Sequence, residues 1–137
     1  MITKARLWIA RVLIGLVLFI NLQCALIFFA NPTGFTSAYE LNSIPGAAAI
    51  RALGLLFLMW NVPYAVALTN PVKYRISLFE ALVMQGIGLA GETLIWYSLP
   101  VEHAILRNSI LRFMVFDGAG LVSLAIAAWL TRKQKQG

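Results

Sequence analysis

The stretch "WIARVLIGLVLFINLQCALIFFA", Trp8–Ala30, is a long apolar run with a single charge, Arg11. A run of ~20 apolar residues is long enough to cross the hydrocarbon core of a bilayer as one helix. A basic segment followed by an apolar run also occurs in signal peptides, but their apolar region is about 7–15 residues long and ends at a small-residue cleavage motif. This run is longer, and Phe28 occupies the position where a small residue is needed. We therefore expect an anchored transmembrane helix and not a cleaved leader.

The composition extends this interpretation to the whole chain. Its 137 residues are 61% hydrophobic and 12% charged, with a mean hydropathy of +0.82, whereas soluble domains are about 45–50% apolar and about 25% charged. Further apolar runs predict spans at about 8–30, 47–69, 76–99 and 110–130. Pro63 predicts a kink in the second span. The predicted fold is all-α: a single membrane domain over 1–137, with four transmembrane helices in an up-down bundle.

The positions of the basic residues predict the orientation. The chain has a formal net charge of +6, and its charges cluster at the ends of the apolar runs. Eight basic residues fall on one side of the predicted spans, at both termini and in the turn after the second span: Lys4, Arg6, Arg11, Lys73, Arg75, Arg132, Lys133 and Lys135. Because loops rich in Lys and Arg stay in the cytoplasm, both termini are predicted to be cytoplasmic, in a bacterial inner membrane. The expected partner is the lipid bilayer and not nucleic acid.

Several polar residues are predicted to lie inside the spans. A charged side chain at the centre of a bilayer costs about 2.5–3.5 kcal/mol on insertion scales. Each such residue is therefore expected either to pair with another group or to have a function. Distance from the nearest loop places four charged residues in the outer half of the bilayer, and helical spacing puts Gln85 and Glu92 on one face of the third span. We predict a buried polar cluster that consists of Arg51, Gln85, Glu92, Arg112 and Asp117. Within it, we expect Glu92 to pair with Arg51.

Two interpretations of this cluster stay open. It forms either a structural network that holds the helices in register or a functional pocket. Two cations and two anions at similar depth argue against a proton or cation site, and equally against an anion site. Glu80 lies off the shared face, near the cytoplasmic end of its span, and we expect it to reach the headgroups or to pair with Lys73 or Arg75.

The remaining cysteine, histidine and sequence motifs give little indication of catalysis or metal binding. The chain has one cysteine, Cys24, and one histidine, His103. An internal disulfide is therefore excluded, and a metal site would need more ligands of these types. No nucleophile-elbow, phosphate-loop or zinc-protease motif occurs in the sequence. We expect a solvated loop histidine, no catalytic residues, no metal and no cofactor, and we favour a protein that is not an enzyme.

Four stretches carry a resemblance to a known group: "NPTGF" at 31–35, "RALGLLFL" at 51–58, "NPVKYR" at 70–75 and "FDGAGLVSLAIAAWL" at 116–130. Together they resemble the small four-helix membrane proteins of the DoxX-like and BphX-like group. The resemblance matches Arg51 and Gly54 to an arginine–glycine feature of the second span, and Asp117 to an acidic position in the last span. Glu80 and Glu92 depart from that pattern. The resemblance also implies a link to quinone-dependent oxidoreductases, in which some members of the wider group are membrane subunits.

Three functions remain as hypotheses. The first is a non-catalytic accessory or structural subunit that associates with other membrane proteins or with itself. The second is a small homo-oligomeric transporter or channel that uses Glu92 or Asp117. The third is the membrane subunit of a quinone-linked oxidoreductase, with Trp60, Tyr64 and Trp96 beside the polar cluster.

Overall fold

The structure is a computed structural model that describes residues 3–132. Its α-helices are α1 (Lys4–Ala30), α2 (Ile44–Trp60), α3 (Val62–Thr69), α4 (Arg75–Ser98) and α5 (Ala104–Leu130). Two short 3-10 turns, Pro32–Phe35 and Ser37–Tyr39, form the loop after α1. No strand occurs within 3–132. The prediction of an all-α fold is confirmed.

Four helical segments are long and apolar enough to cross a membrane: Lys4–Ala30, Ile44–Thr69, Arg75–Ser98 and Ala104–Leu130. They indicate an integral membrane protein, as the sequence predicts. The helices begin earlier than the apolar runs because backbone hydrogen bonding continues through polar residues to a cap. Thr3 caps α1, accepting from the Arg6 amide at 3.3 Å, and Ser43 caps α2, accepting from the Gly46 amide at 3.0 Å.

The four segments form an up-down bundle. α1 packs against α2, α3 and α5, and α4 packs against α3 and α5. The basic end of the bundle holds the start of α1, the α3–α4 turn and the end of α5. There, the Arg6 guanidinium lies 5.3 Å from the centre of the Trp129 ring. The opposite end, which we call the Glu40 end, holds the loop after α1 and the start of α5. Lys133 and Lys135, which the sequence assigns to the basic end, lie outside the described residues.

The second span is broken at Asn61, two residues before Pro63. Proline lacks an N–H and its ring clashes with the preceding turn, so a regular helix is not maintained there. The break gives the two halves different neighbours: α2 packs along α1, whereas α3 also packs against α4. The buried apolar core lies mainly in the half toward the basic end, where Ile14, Tyr64 and Leu78 are almost fully buried. Towards the Glu40 end, a partly open cavity lies between the helices.

An aromatic cluster closes the bundle on the Glu40 side of that cavity. Phe28, 3% exposed, lies at its centre. The centroid of its ring is 4.7 Å from that of Phe35, 6.0 Å from that of Phe57 and 6.1 Å from that of Phe113. These separations are typical of stabilising aromatic pairs. The cluster joins α1, α2, α5 and the first loop.

Candidate functional site

The cavity has a volume of about 380 Å³ and is lined by α1, by α2 and the break after it, and by α4 and α5. Its walls are largely apolar and include the rings of Phe57, Trp60, Phe113 and Phe116. The sulfur-bearing Cys24 also lines it. The polar lining residues are Asn21, Asn61, Gln85, Glu92, Arg112 and Asp117. Four of the five residues of the predicted polar cluster therefore share one cavity inside the membrane-spanning part of the bundle.

A chain of hydrogen bonds connects three residues of the cavity lining, Trp60, Gln85 and Asp117, through the buried Tyr64. Trp60 Nε1 donates to the hydroxyl of Tyr64 at 3.2 Å, and that hydroxyl lies 2.5 Å from Gln85 Oε1 and 3.1 Å from the Ala81 carbonyl. Gln85 Nε2 then donates to Asp117 Oδ1 at 2.9 Å. Both ends of the Gln85 amide are used, so its orientation is determined. The chain connects α2, α3, α4 and α5 through side chains.

Two acceptors in the cavity lining have no hydrogen-bond partner among the described residues. They are Glu92 Oε2 and Asn61 Oδ1. Asn61 is 3% exposed, and its Nδ2 donates to the Phe57 carbonyl at 2.6 Å. Flipping that amide would bring two oxygens together, so Oδ1 is the atom left without a partner. Buried acceptors of this kind are uncommon and call for a ligand, a water molecule or an ion.

Arg51 does not pair with Glu92, and that prediction was wrong. No salt bridge joins the two side chains in the described part of the chain. Arg51 is exposed, and its Nε donates to the Phe29 carbonyl at 3.2 Å. Phe29 lies in the last turn of α1, whose carbonyls have no partner within the helix and attract positive charge.

The same use of arginine recurs at two other helix ends. Arg11 Nε donates to Leu68 O in the last turn of α3 at 3.1 Å. Arg107 Nη1 donates to Leu99 O at 2.6 Å and to Trp96 O at 3.2 Å, where α4 ends. Three arginines from neighbouring segments therefore satisfy carbonyls at helix C-termini. Such donors are valuable at membrane depth, where water is scarce.

The charges around the cavity consequently do not balance. Glu92 and Asp117 line it, and Arg112 is the cation that lines it with them. No salt bridge joins Arg112 to either acid within 3–132. With the charge of Arg51 placed at the end of α1, two acids face one arginine. Only one of the two arginines that were expected to exclude a cation site therefore lines the cavity.

Glu80 lies outside the cavity. It is exposed on the surface of α4, beside Pro63, Phe79 and Val83. Between Thr3 and Arg132, no salt bridge joins it to Lys73 or Arg75. The ammonium of Lys73 instead lies 5.1 Å from the centre of the Tyr74 ring. Because Glu80 is exposed and lies on the same helix, its replacement is a suitable control for the replacement of Glu92.

A second polar site joins the loops at the Glu40 end. His103 Nδ1 lies 2.5 Å from Glu40 Oε2, and the Leu106 amide donates to Glu40 Oε1 at 3.4 Å. The carboxylate therefore caps the start of α5, where the helix dipole favours an anion. The hydrogen bond to Glu40 raises the pKa of His103, and the same bond lowers the pKa of Glu40. His103 is exposed, as expected of a loop histidine, but it is paired.

The structure adds residues that the predicted cluster omitted. Asn61, at the helix break, lines the cavity, and the buried Tyr64 of α3 is part of the hydrogen-bond chain. Trp96, which the quinone hypothesis places beside the polar cluster, stacks on Arg107, with the guanidinium 4.1 Å from its ring centre.

A scan against protein-family models and searches of curated proteins and of solved structures find no match to this chain. The resemblance to the DoxX-like and BphX-like group therefore stays a prediction. Among the described residues, no group of three or more His, Cys, Asp or Glu is placed to hold a metal ion.

Proposed function

We propose that this protein binds a small positively charged ligand in its intramembrane cavity and acts as a small transporter or channel. One observation carries the proposal: the cavity places Glu92 and Asp117 against a single arginine, with Glu92 Oε2 unpartnered. Ionisable residues within membrane spans are costly and commonly mark ligand or ion pathways. A bound cation neutralises the excess acid and supplies the missing donor.

The orientation belongs to the same proposal. The described basic residues at the basic end are Lys4, Arg6, Arg11, Lys73, Arg75 and Arg132. Under the positive-inside rule that end faces the cytoplasm, with both termini inside a bacterial inner membrane. The cavity then lies toward the outer face.

The accessory-subunit and quinone-linked hypotheses remain predictions. Exposed apolar side chains occur on every span, for example Phe19, Leu56, Ile87 and Val115. Such faces suit lipid as well as a partner helix. The cavity, in contrast, favours a ligand-binding protein over a purely structural one.

Cys24 provides a native test, because it is the one cysteine of the chain and lines the cavity. The protein is placed in lipid nanodiscs and labelled with monobromobimane, a neutral thiol reagent, in the presence of sodium, methylamine or 1-naphthylmethylamine. We expect at least one of these cations to slow labelling in the natural protein and in Glu80→Gln, and to lose that effect in Glu92→Gln. If no cation changes the rate, or if the effect survives in Glu92→Gln, the proposal is wrong.

A further inference from the structure

The walls of the cavity suit an organic ligand better than a bare ion. Its volume of about 380 Å³ lies within the range of ~300–1,000 Å³ found for small-molecule sites. Four aromatic rings line it, so much of its wall provides no oxygen ligand to replace the hydration shell of an inorganic cation. Aromatic faces do attract organic cations, and they also bury an apolar body.

The unpartnered groups specify the head of that ligand. Glu92 Oε2 and the almost fully buried Asn61 Oδ1 both lack a donor within the described chain. A primary ammonium carries three N–H donors and no acceptor, as in lysine. A quaternary ammonium carries the same charge without a donor, so it leaves both oxygens unsatisfied. The cavity therefore favours donors as well as charge.

The net charge specifies the number of positive groups. Glu92 and Asp117 face Arg112 in the lining, which leaves one negative charge when all three are ionised. One ammonium neutralises the site, and a second would be left unpaired in a region where unpaired charge is costly.

We propose that the ligand is a primary monoamine with an aromatic or similarly bulky apolar body. The ammonium lies among Glu92, Asn61 and Asp117, and the body packs against Phe57, Trp60 and Phe113. This inference rests on the proposed function and adds the class of substrate to it.

Binding is measured by calorimetry with the full chain in phosphatidylcholine nanodiscs, which carry no net charge. The probes are 1-naphthylmethylamine, its N,N,N-trimethyl analogue, 1-naphthalenemethanol and methylamine. We expect the naphthyl amine to bind about tenfold or more tightly than each of the other three. The trimethyl analogue and the alcohol lack a charged hydrogen-bond donor, which is worth at least that factor, and methylamine lacks the apolar body whose burial is worth a similar factor or more. If methylamine or the trimethyl analogue binds as tightly, the substrate class is wrong and the proposed cation site stands. If the alcohol binds as tightly, or if no cation binds, both are wrong.

Two matched pairs of variants locate the site. Glu92→Gln is expected to weaken amine binding by about tenfold or more, whereas Glu80→Gln, on the outside of the same helix, leaves it unchanged. A Cβ added at Gly88 would lie 2.6 Å from Asp117 Oδ2, whereas one added at Gly91 meets nothing within 4 Å. Gly88→Ala should therefore weaken binding and Gly91→Ala should not, which keeps the test decisive if Glu92→Gln fails to fold. Equal affinities within both pairs would overturn the assignment.

Discussion

Gln85 on α4 and Asp117 on α5 are joined by a hydrogen bond of 2.9 Å from Nε2 to Oδ1. Because Gln85 also interacts with Tyr64 through Oε1, this single amide links three helices. It occupies one oxygen of Asp117, and the other lies beside Gly88 at the cavity wall. The structural interpretation of the polar cluster is therefore compatible with the proposed function, because the hydrogen bonds that join the helices also orient an acid toward the cavity.

Replacing Gln85 with leucine should destabilise the protein. The change leaves Asp117 Oδ1 without its donor, and a buried unsatisfied group costs about 1–3 kcal/mol. Gln23→Leu is the control, because Gln23 is exposed on α1 and its loss should change the free energy of unfolding by less than about 0.5 kcal/mol. Unfolding in mixed detergent micelles measures both variants. Similar small effects would show that the hydrogen-bond chain does not hold the helices.

Gly54→Ala should also be destabilising. A Cβ at Gly54 would lie 2.7 Å from the Phe29 amide nitrogen and 2.8 Å from the Ala25 carbonyl oxygen, so α1 and α2 would have to separate. Overpacking of this kind costs about 1–3 kcal/mol. Gly118→Ala is the matched control, since a Cβ there meets nothing within 4 Å. If the two variants unfold at the same detergent concentration, the close approach of α1 and α2 contributes nothing to stability.

The sequence predicts the helices and the inward face of α4 well. Long apolar runs identify the four spans, and the spacing of Ala81, Gln85, Gly88 and Glu92 predicts the face of α4 that turns inward. In the structure Ala81 and Gln85 are buried, and Gln85, Gly88 and Glu92 line the cavity. These features depend on local hydrogen bonding and on helical periodicity, and both can be inferred from the sequence of a single helix.

The rotation of the second span could not be predicted in the same way. In a membrane protein both the lipid-facing and the inward faces are apolar, so hydropathy does not reveal which way a helix turns. Arg51 was assigned to Glu92 by depth alone. Arg51 instead donates to a carbonyl at the end of α1, where the backbone carbonyls have no partner within the helix. Pro63 predicts the break near Asn61, but the way the helices around that break turn relative to one another decides which residues line the cavity, and this depends on packing among several helices.

A double-mutant cycle tests the corrected place of Arg51. Because Arg51 and Glu92 are not paired, the effects of Arg51→Leu and Glu92→Gln on the free energy of unfolding should add within about 0.3–0.5 kcal/mol. Unfolding of the natural protein, both single variants and the double variant supplies the measurement. Recovery of stability in the double variant would restore the ion pair that the sequence suggested.

The Glu40–His103 pair should make stability depend on pH. Because the pKa of Glu40 is lowered in the folded protein, its carboxylate contributes to stability above the ordinary pKa of 4.5. That contribution is lost as the pH falls through the lowered pKa. Because the pKa of His103 is raised in the folded protein, its imidazolium contributes to stability below the ordinary pKa of 6.5. That contribution is lost as the pH rises through the raised pKa. The pair therefore stabilises the loops fully between these two ordinary values.

Thermal unfolding of the natural protein and of His103→Gln measures this dependence. Between about pH 5.5 and about pH 8.5, the melting temperature of the natural protein should fall further than that of the variant, because the variant has no histidine to deprotonate. Glu40→Gln should behave like His103→Gln. If all three proteins show the same change, the pair does not contribute to stability.

The position of a bound amine tests the central claim most directly. An experimental structure is determined with 4-bromophenethylamine, whose bromine is located by its anomalous scattering. We predict bromine among Phe57, Trp60 and Phe113, with the amine nitrogen within about 3.2 Å of a carboxylate oxygen of Glu92 or Asp117. A cavity that stays free of bromine at a saturating concentration of the amine, or an amine that binds only outside the bundle, would contradict the account.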